Sequence, residues 1–155
     1  MGLEKKLDVS VYAKLEFDSW QMWQIREGLE SGLDVSIYAI PEFDGWQMEQ
    51  IKEGLEKGLD VSIYAKPEFN YEQMHEILWG IEGGVDVSVY AKPEFDSLQM
   101  WQIRLGLEKR LDVSVYADPF ISDKDMKIIR ENMEIDLARK SCEQEEDLED
   151  SEERE

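Results

Sequence analysis

Apolar residues return along this chain at two rhythms. Over the short range Met22, Ile25 and Leu29 stand at i, i+3 and i+7, the spacing that places side chains on one face of an α-helix; the triplet recurs as Met48, Ile51 and Leu55 and as Met74, Ile77 and Ile81. Over the long range Met22, Met48, Met74, Met100 and Met126 fall 26 residues apart, each inside a copy of one longer phrase. A repeat of that length is one supersecondary unit, too small to bury its apolar face alone, so the copies must stack. The units run 2–27, 28–53, 54–79, 80–105 and a divergent 106–142.

Each unit carries start and stop signals for one long helix. Asp18, Asp44, Asn70, Asp96 and Ser122 are followed three residues later by Gln21, Gln47, Gln73, Gln99 and Asp125, an N-cap with its capping box that is loosest in the last copy. Phe17, Phe43, Phe69, Phe95 and Ile121 stand just before the caps, five positions ahead of the methionines, so each methionine is first a hydrophobic staple. Gly32, Gly58 and Gly84 mark left-handed helix ends, with Lys6 and Arg110 in that place in the outer copies. Gly28, Gly54, Gly80 and Gly106 fall near the helix ends, where only the close approach of a neighbouring element justifies glycine. Met126, Ile129, Met133 and Leu137 extend the last helix into a longer cap for the stack.

The second element of each unit, LDVSVYA or LDVSIYA, is open to two readings. Its β-branched residues suit a strand, which gives a βα horseshoe. Asp8, Asp34, Asp60, Asp86 and Asp112 are good N-caps, Leu33 and Tyr38 have staple spacing, and proline follows at 41, 67, 93 and 119; these favour a short helix of about two turns. The expected fold is therefore all-α, an α-solenoid of about five helical-hairpin repeats with a longer C-terminal capping helix, and the horseshoe with LDVSVYA as strand is the alternative.

Once the framework is subtracted, a second stripe remains on the far side of the long helix. It holds Trp20, Trp23 and Glu27; then Trp46, Glu49 and Glu53; then Glu72, His75 and Trp79 with Tyr71 beside them; then Leu98, Trp101 and Leu105. All five tryptophans lie on it. Aromatic residues on a face that varies between copies, interleaved with carboxylates, resemble the anchors of a protein interface, and Trp20, Trp23, Trp46, Glu49, Glu53, Tyr71, His75, Trp79, Leu98, Trp101 and Leu105 are the candidate partner-binding set. A homodimer that buries the stripe, or packing within one chain, would account for the same pattern.

Charge narrows the choice of partner. The 155 residues carry a formal net charge of −20, and nine carboxylates against Arg154 alone in 143–155 supply −8 of it, which marks that segment as an acidic tail, disordered or a fraying helix end, after a single repeat domain 1–142. So acidic a chain does not bind nucleic acid or an anionic membrane directly; it suits a basic protein partner. Glu16, Glu42, Glu68 and Glu94 form an acidic ladder, as do Glu4, Glu30, Glu56, Glu82 and Glu108; either imitates a phosphate backbone or is simply a solvated face, and no dense oxygen spacing marks a calcium loop. No apolar run of membrane length and no signal-peptide pattern occurs, and Cys142 is the single cysteine, all of which fits the cytoplasm. His75 is the single histidine, and Cys142 borders the acidic segment, which disfavours its thiolate. With no phosphate loop, zinc spacing or nucleophile motif, the expectation is a non-enzyme without metal or cofactor.

The phrase GLxxGLDVSxYAxPEFDxxQMxQIR, met with small departures from Gly28 to Lys52 and from Gly80 to Arg104, resembles a repeat found in proteins from mobile genetic elements of gut bacteria. The resemblance covers residues 2 to about 130 and carries no enzymatic residues. It implies a context: small, very acidic proteins of such elements are often inhibitors of host defence, including anti-CRISPR and anti-restriction proteins that occupy nucleic-acid channels. On that reading the carboxylates meet the Arg and Lys residues that hold phosphates in a partner nuclease, and the tryptophans add affinity that charge alone loses in salt.

Overall fold

A computed structural model describes Asp8, Ser10 and residues 16–154. Among these the chain is all-helical: α1 (Ser19–Glu30), α2 (Gly45–Glu56), α3 (Tyr71–Glu82), α4 (Ser97–Glu108) and a longer α5 (Asp123–Glu153) alternate with short 3-10 turns at Val35–Ile37, Val61–Ile63, Val87–Val89 and Val113–Val115. The all-α repeat architecture expected from the pattern is the one observed, and the horseshoe alternative fails because no described residue is in a strand. The second element is nevertheless shorter than two turns. Asp34 Oδ1 accepts from both the backbone N–H and the hydroxyl of Ser36, at 3.2 and 2.5 Å, and this local turn closes after three residues. Asp60, Asp86 and Asp112 do the same with Ser62, Ser88 and Ser114.

The helix ends follow from the local sequence. Full capping boxes open α1 to α4, whereas at α5 Ser122 accepts from the Asp125 N–H without a reciprocal bond. Behind the caps Phe43, Phe69, Met48, Met74, Met100 and Met126 are buried. At the far end of α1 the N–H of Gly32 reaches Leu29 O at 3.1 Å and that of Leu33 reaches Gly28 O at 2.9 Å, a Schellman motif with Gly32 at φ 74°. Arg110 adopts φ 58° in the same place after α4, while Lys6 lies outside the described residues.

The chain forms two compact units, Met1–Pro93 and Glu94–Glu155. In the first, α1 packs on α2 and α2 on α3; in the second, α4 packs on α5. Two recurring bonds tie a helix to the next stretch of chain. Gln21 Nε2 donates to Phe43 O at 2.6 Å, and Gln47 Nε2 to Phe69 O at 2.6 Å, while Oε1 of each accepts from its own N-cap amide. The fully buried Tyr38 donates its hydroxyl to Gln24 O at 2.8 Å, as do Tyr64, Tyr90 and Tyr116 to Gln50, Glu76 and Gln102. That tyrosine explains the glycine near each helix end: a Cβ on Gly28 would lie 1.9 Å from Tyr38 Oη.

Burial raises the pKa of Tyr38 and Tyr64, with the carboxylates of Glu56 and Glu27, and of Glu53 and Glu82, adding to the effect. Tyr116 is pushed up to about 12 by burial and by Glu134, against the opposing charge of Arg130.

Through the acidic segment 143–155, α5 continues to Glu153 as an exposed helix. No proline or glycine interrupts Asp123–Glu153, and i,i+4 pairs such as Arg139 with Glu143 at 3.9 Å favour the helical spacing.

Candidate functional site

The five tryptophans remain between 41% and 54% exposed, and Tyr71 and Leu98 lie in the same range, although a folded chain ordinarily buries such side chains. The structure sorts the candidate residues into groups. In the first unit Trp20, Trp46 and Tyr71 form a row, each ring centroid 5.7 Å from the next, at interplanar angles of 49° and 35°. Trp20 and Trp46 occupy the second position of α1 and α2, and Tyr71 the first of α3, so the row crosses the helix N-termini. Trp23 and Trp79 lie further along their helices. In the second unit Trp101 and Leu98 are exposed and Leu105 is half-buried.

Beneath the row lies a residue that sequence reasoning left out. Gly45 is buried, and a Cβ on it would fall 1.6 Å from Trp20 Cδ1, so the indole lies directly on the glycine backbone. The signal was present: Ser19, Tyr71 and Ser97 occupy the equivalent position, and Gly45 alone has no side chain. An open groove beside the two indoles is lined by Asp18, Trp20, Asp44, Gly45 and Trp46. The aspartates, read from sequence only as caps, each use Oδ1 to accept a backbone N–H, at 2.7 Å from Gln21 and 2.8 Å from Gln47. Each also brings a full negative charge to the rim, larger than the roughly half charge of a helix N-terminus. Further along the row, the charge of Glu72 raises the pKa of the Tyr71 hydroxyl.

Other candidates are occupied in holding helices together. His75 Nδ1 is 2.9 Å from Gln50 Oε1, and its ring packs 4.0 Å from that of Trp79, centroid to centroid. Glu53 pairs with Lys57, which also bridges to Glu82 at 2.6 Å, and these hydrogen bonds raise the pKa of Lys57. Glu27 pairs with the buried Lys52. The equivalents of Gln50 show how much this position needs a donor: Gln102 Oε1 accepts from Arg130 Nε at 3.0 Å, whereas the buried Gln24 Oε1 meets none. Glu49 stands in α2 where His75 stands in α3, and an ionised carboxylate has no proton to donate.

The two acidic ladders differ in the same respect. Glu30, Glu82 and Glu108 are in ion pairs with Arg26, Lys57 and Arg104, Glu56 is exposed and in none among the described residues, and Glu4 lies outside those residues. Glu16, Glu42, Glu68 and Glu94 are exposed and, among the described residues, form no ion pair, although Lys66 and Lys92 precede the last two by two residues. Among the described residues no group of three or more His, Cys, Asp or Glu side chains is placed to hold a metal ion, and no helix is long and apolar enough to cross a membrane. Cys142 is exposed on α5.

No protein-family model, curated protein or solved structure matches the chain.

Proposed function

We propose that this protein is a non-enzymatic binding module of the cytoplasm that covers a basic surface on a protein partner, and that the covered surface is one that otherwise holds nucleic acid. The observation that carries the reading is the exposed row Trp20–Trp46–Tyr71 set among carboxylates on a chain of net charge −20. Aromatic rings supply short-range affinity, and the surrounding charge selects a cationic partner and speeds encounter. The exposed carboxylates Glu16, Glu42, Glu68 and Glu94 support the same partner chemistry. Together with the repeat's resemblance to proteins of mobile elements, this favours inhibition of a defence nuclease such as a CRISPR effector.

The test is DNA competition. A captured nuclease whose affinity for DNA falls as this protein is added, with a steep dependence on salt, supports the reading; a partner whose DNA affinity is untouched sinks it. Light scattering tests the other use of an exposed aromatic row, burial against a second copy in a self-assembling scaffold. A monomer at micromolar concentration with indole emission typical of water contact excludes it.

A further inference from the structure

The Trp20–Trp46 groove has a chemistry more specific than acidity. It is lined by two indole rings that touch each other, 5.7 Å between centroids, by Gly45, on whose backbone the Trp20 ring rests, and by the carboxylates of Asp18 and Asp44. A π face attracts a cation held over it, and tryptophan does so best of the side chains. A carboxylate beside the ring satisfies the cation's N–H donors as well as its charge. Resting on the basic-partner reading above, we propose that this groove seats an arginine side chain of the partner, its guanidinium stacked against the indoles and its N–H groups turned to Asp18 and Asp44.

Shape and charge exclude the other occupants. An anion is repelled by the two aspartates, which outweigh the helix N-termini they cap. A purely apolar side chain leaves the aspartates unanswered. A lysine meets the charge, but its compact, strongly hydrated ammonium does not stack, whereas the planar and weakly hydrated guanidinium both stacks and donates in a fork. Gly45 is what gives that plane room, because it lets the Trp20 ring lie down on α2.

The chain itself supplies a control for the charges. Asn70 caps α3 with the same capping box that Asp18 and Asp44 build, so Asp18→Asn and Asp44→Asn remove charge while keeping the cap. Gly45→Ala serves as a second probe, since the nearest atoms its methyl group meets all belong to the movable Trp20 ring, which it lifts out of the row.

The experiment titrates the full chain with short unstructured peptides carrying arginine, lysine or glutamine at the same positions, followed by tryptophan emission and calorimetry. The arginine peptide binds most tightly and shifts the emission; the Asp18→Asn/Asp44→Asn double variant, Trp46→Ala and Gly45→Ala each weaken it about ten-fold with unchanged helical content. Equal binding of the lysine peptide, or binding that all three variants leave unchanged, overturns the groove while leaving a basic partner standing. A pyranoside that produces the emission shift in place of the peptide also overturns it. If no cationic peptide binds, the groove proposal falls, and DNA competition then decides the partner reading independently.

Discussion

The side-chain amide of Gln47 bridges two repeats: Oε1 accepts the N–H of Asp44, at the start of its own helix, at 2.8 Å, and Nε2 donates to the carbonyl of Phe69 at 2.6 Å. A capping box tolerates Glu as well as Gln at this position. The second bond does not, because a carboxylate has no proton for the carbonyl and sets like charges together. In the fifth copy, where α5 runs on instead of turning into another such unit, the residue is Asp125.

Gln47→Glu therefore keeps the cap and loses the clasp. Urea denaturation is expected to show a loss of about 1–3 kcal/mol, the range for leaving a buried acceptor unmet. Stability equal to wild type would show that capping alone explains the glutamine.

Gly54 and Tyr64 form a second coupled pair. A Cβ on Gly54 would lie 2.0 Å from Tyr64 Oη, so Gly54→Ala must displace the buried ring and break its 2.9 Å bond to Gln50 O. The expected cost is about 3 kcal/mol, against about 1 kcal/mol for Tyr64→Phe, which loses the bond and keeps the packing. In the double variant the costs should fall short of additivity, as a double-mutant cycle would read.

Glu49→His transplants a solution the protein already uses. His75 meets Gln50 Oε1, and the same residue one repeat earlier offers a donor to the buried, unmet Gln24 Oε1. A gain of about 1 kcal/mol is expected in thermal or urea unfolding; a loss would mean that Glu49 has a structural task of its own.

The buried tyrosines set an alkaline limit. Their folded pKa values lie above the ordinary 10.0, Tyr116 at about 12 and Tyr38 and Tyr64 also raised, so the fold favours the neutral phenol. The associated stability is complete below about pH 10 and is lost as the pH rises from there through the folded values. Urea midpoints should fall over that window together with the appearance of tyrosinate absorbance, and Tyr116→Phe should flatten part of the slope.

Removal of residues 143–155 should leave the fold intact. Their described side chains are exposed on α5, so the change in unfolding free energy is expected to stay within about 0.5 kcal/mol. If the truncation also leaves DNA competition unchanged, binding resides in the repeats.

Much of this architecture was legible in the sequence because it rests on contacts within a few residues. Asp44 with Gln47 starts a helix, and the terminal turn from Gly28 to Leu33 stops one, whatever lies around them. The far-side stripe was legible too, as a helical period left over once the core positions were assigned. Its sorting was not: the period places His75 beside Trp46 as an equal candidate, yet the structure ties His75 to Gln50 and leaves Trp46 beside an open groove.

By itself, then, the sequence determined the repeat, the helices, their caps and the acidic surface, since each depends on composition or on neighbours along the chain. The stacking of helices decided the rest. It brought Gln21 to Phe43 across 22 residues and set Trp20 upon Gly45. Such pairings arise only when one repeat meets the next, and no local preference records them.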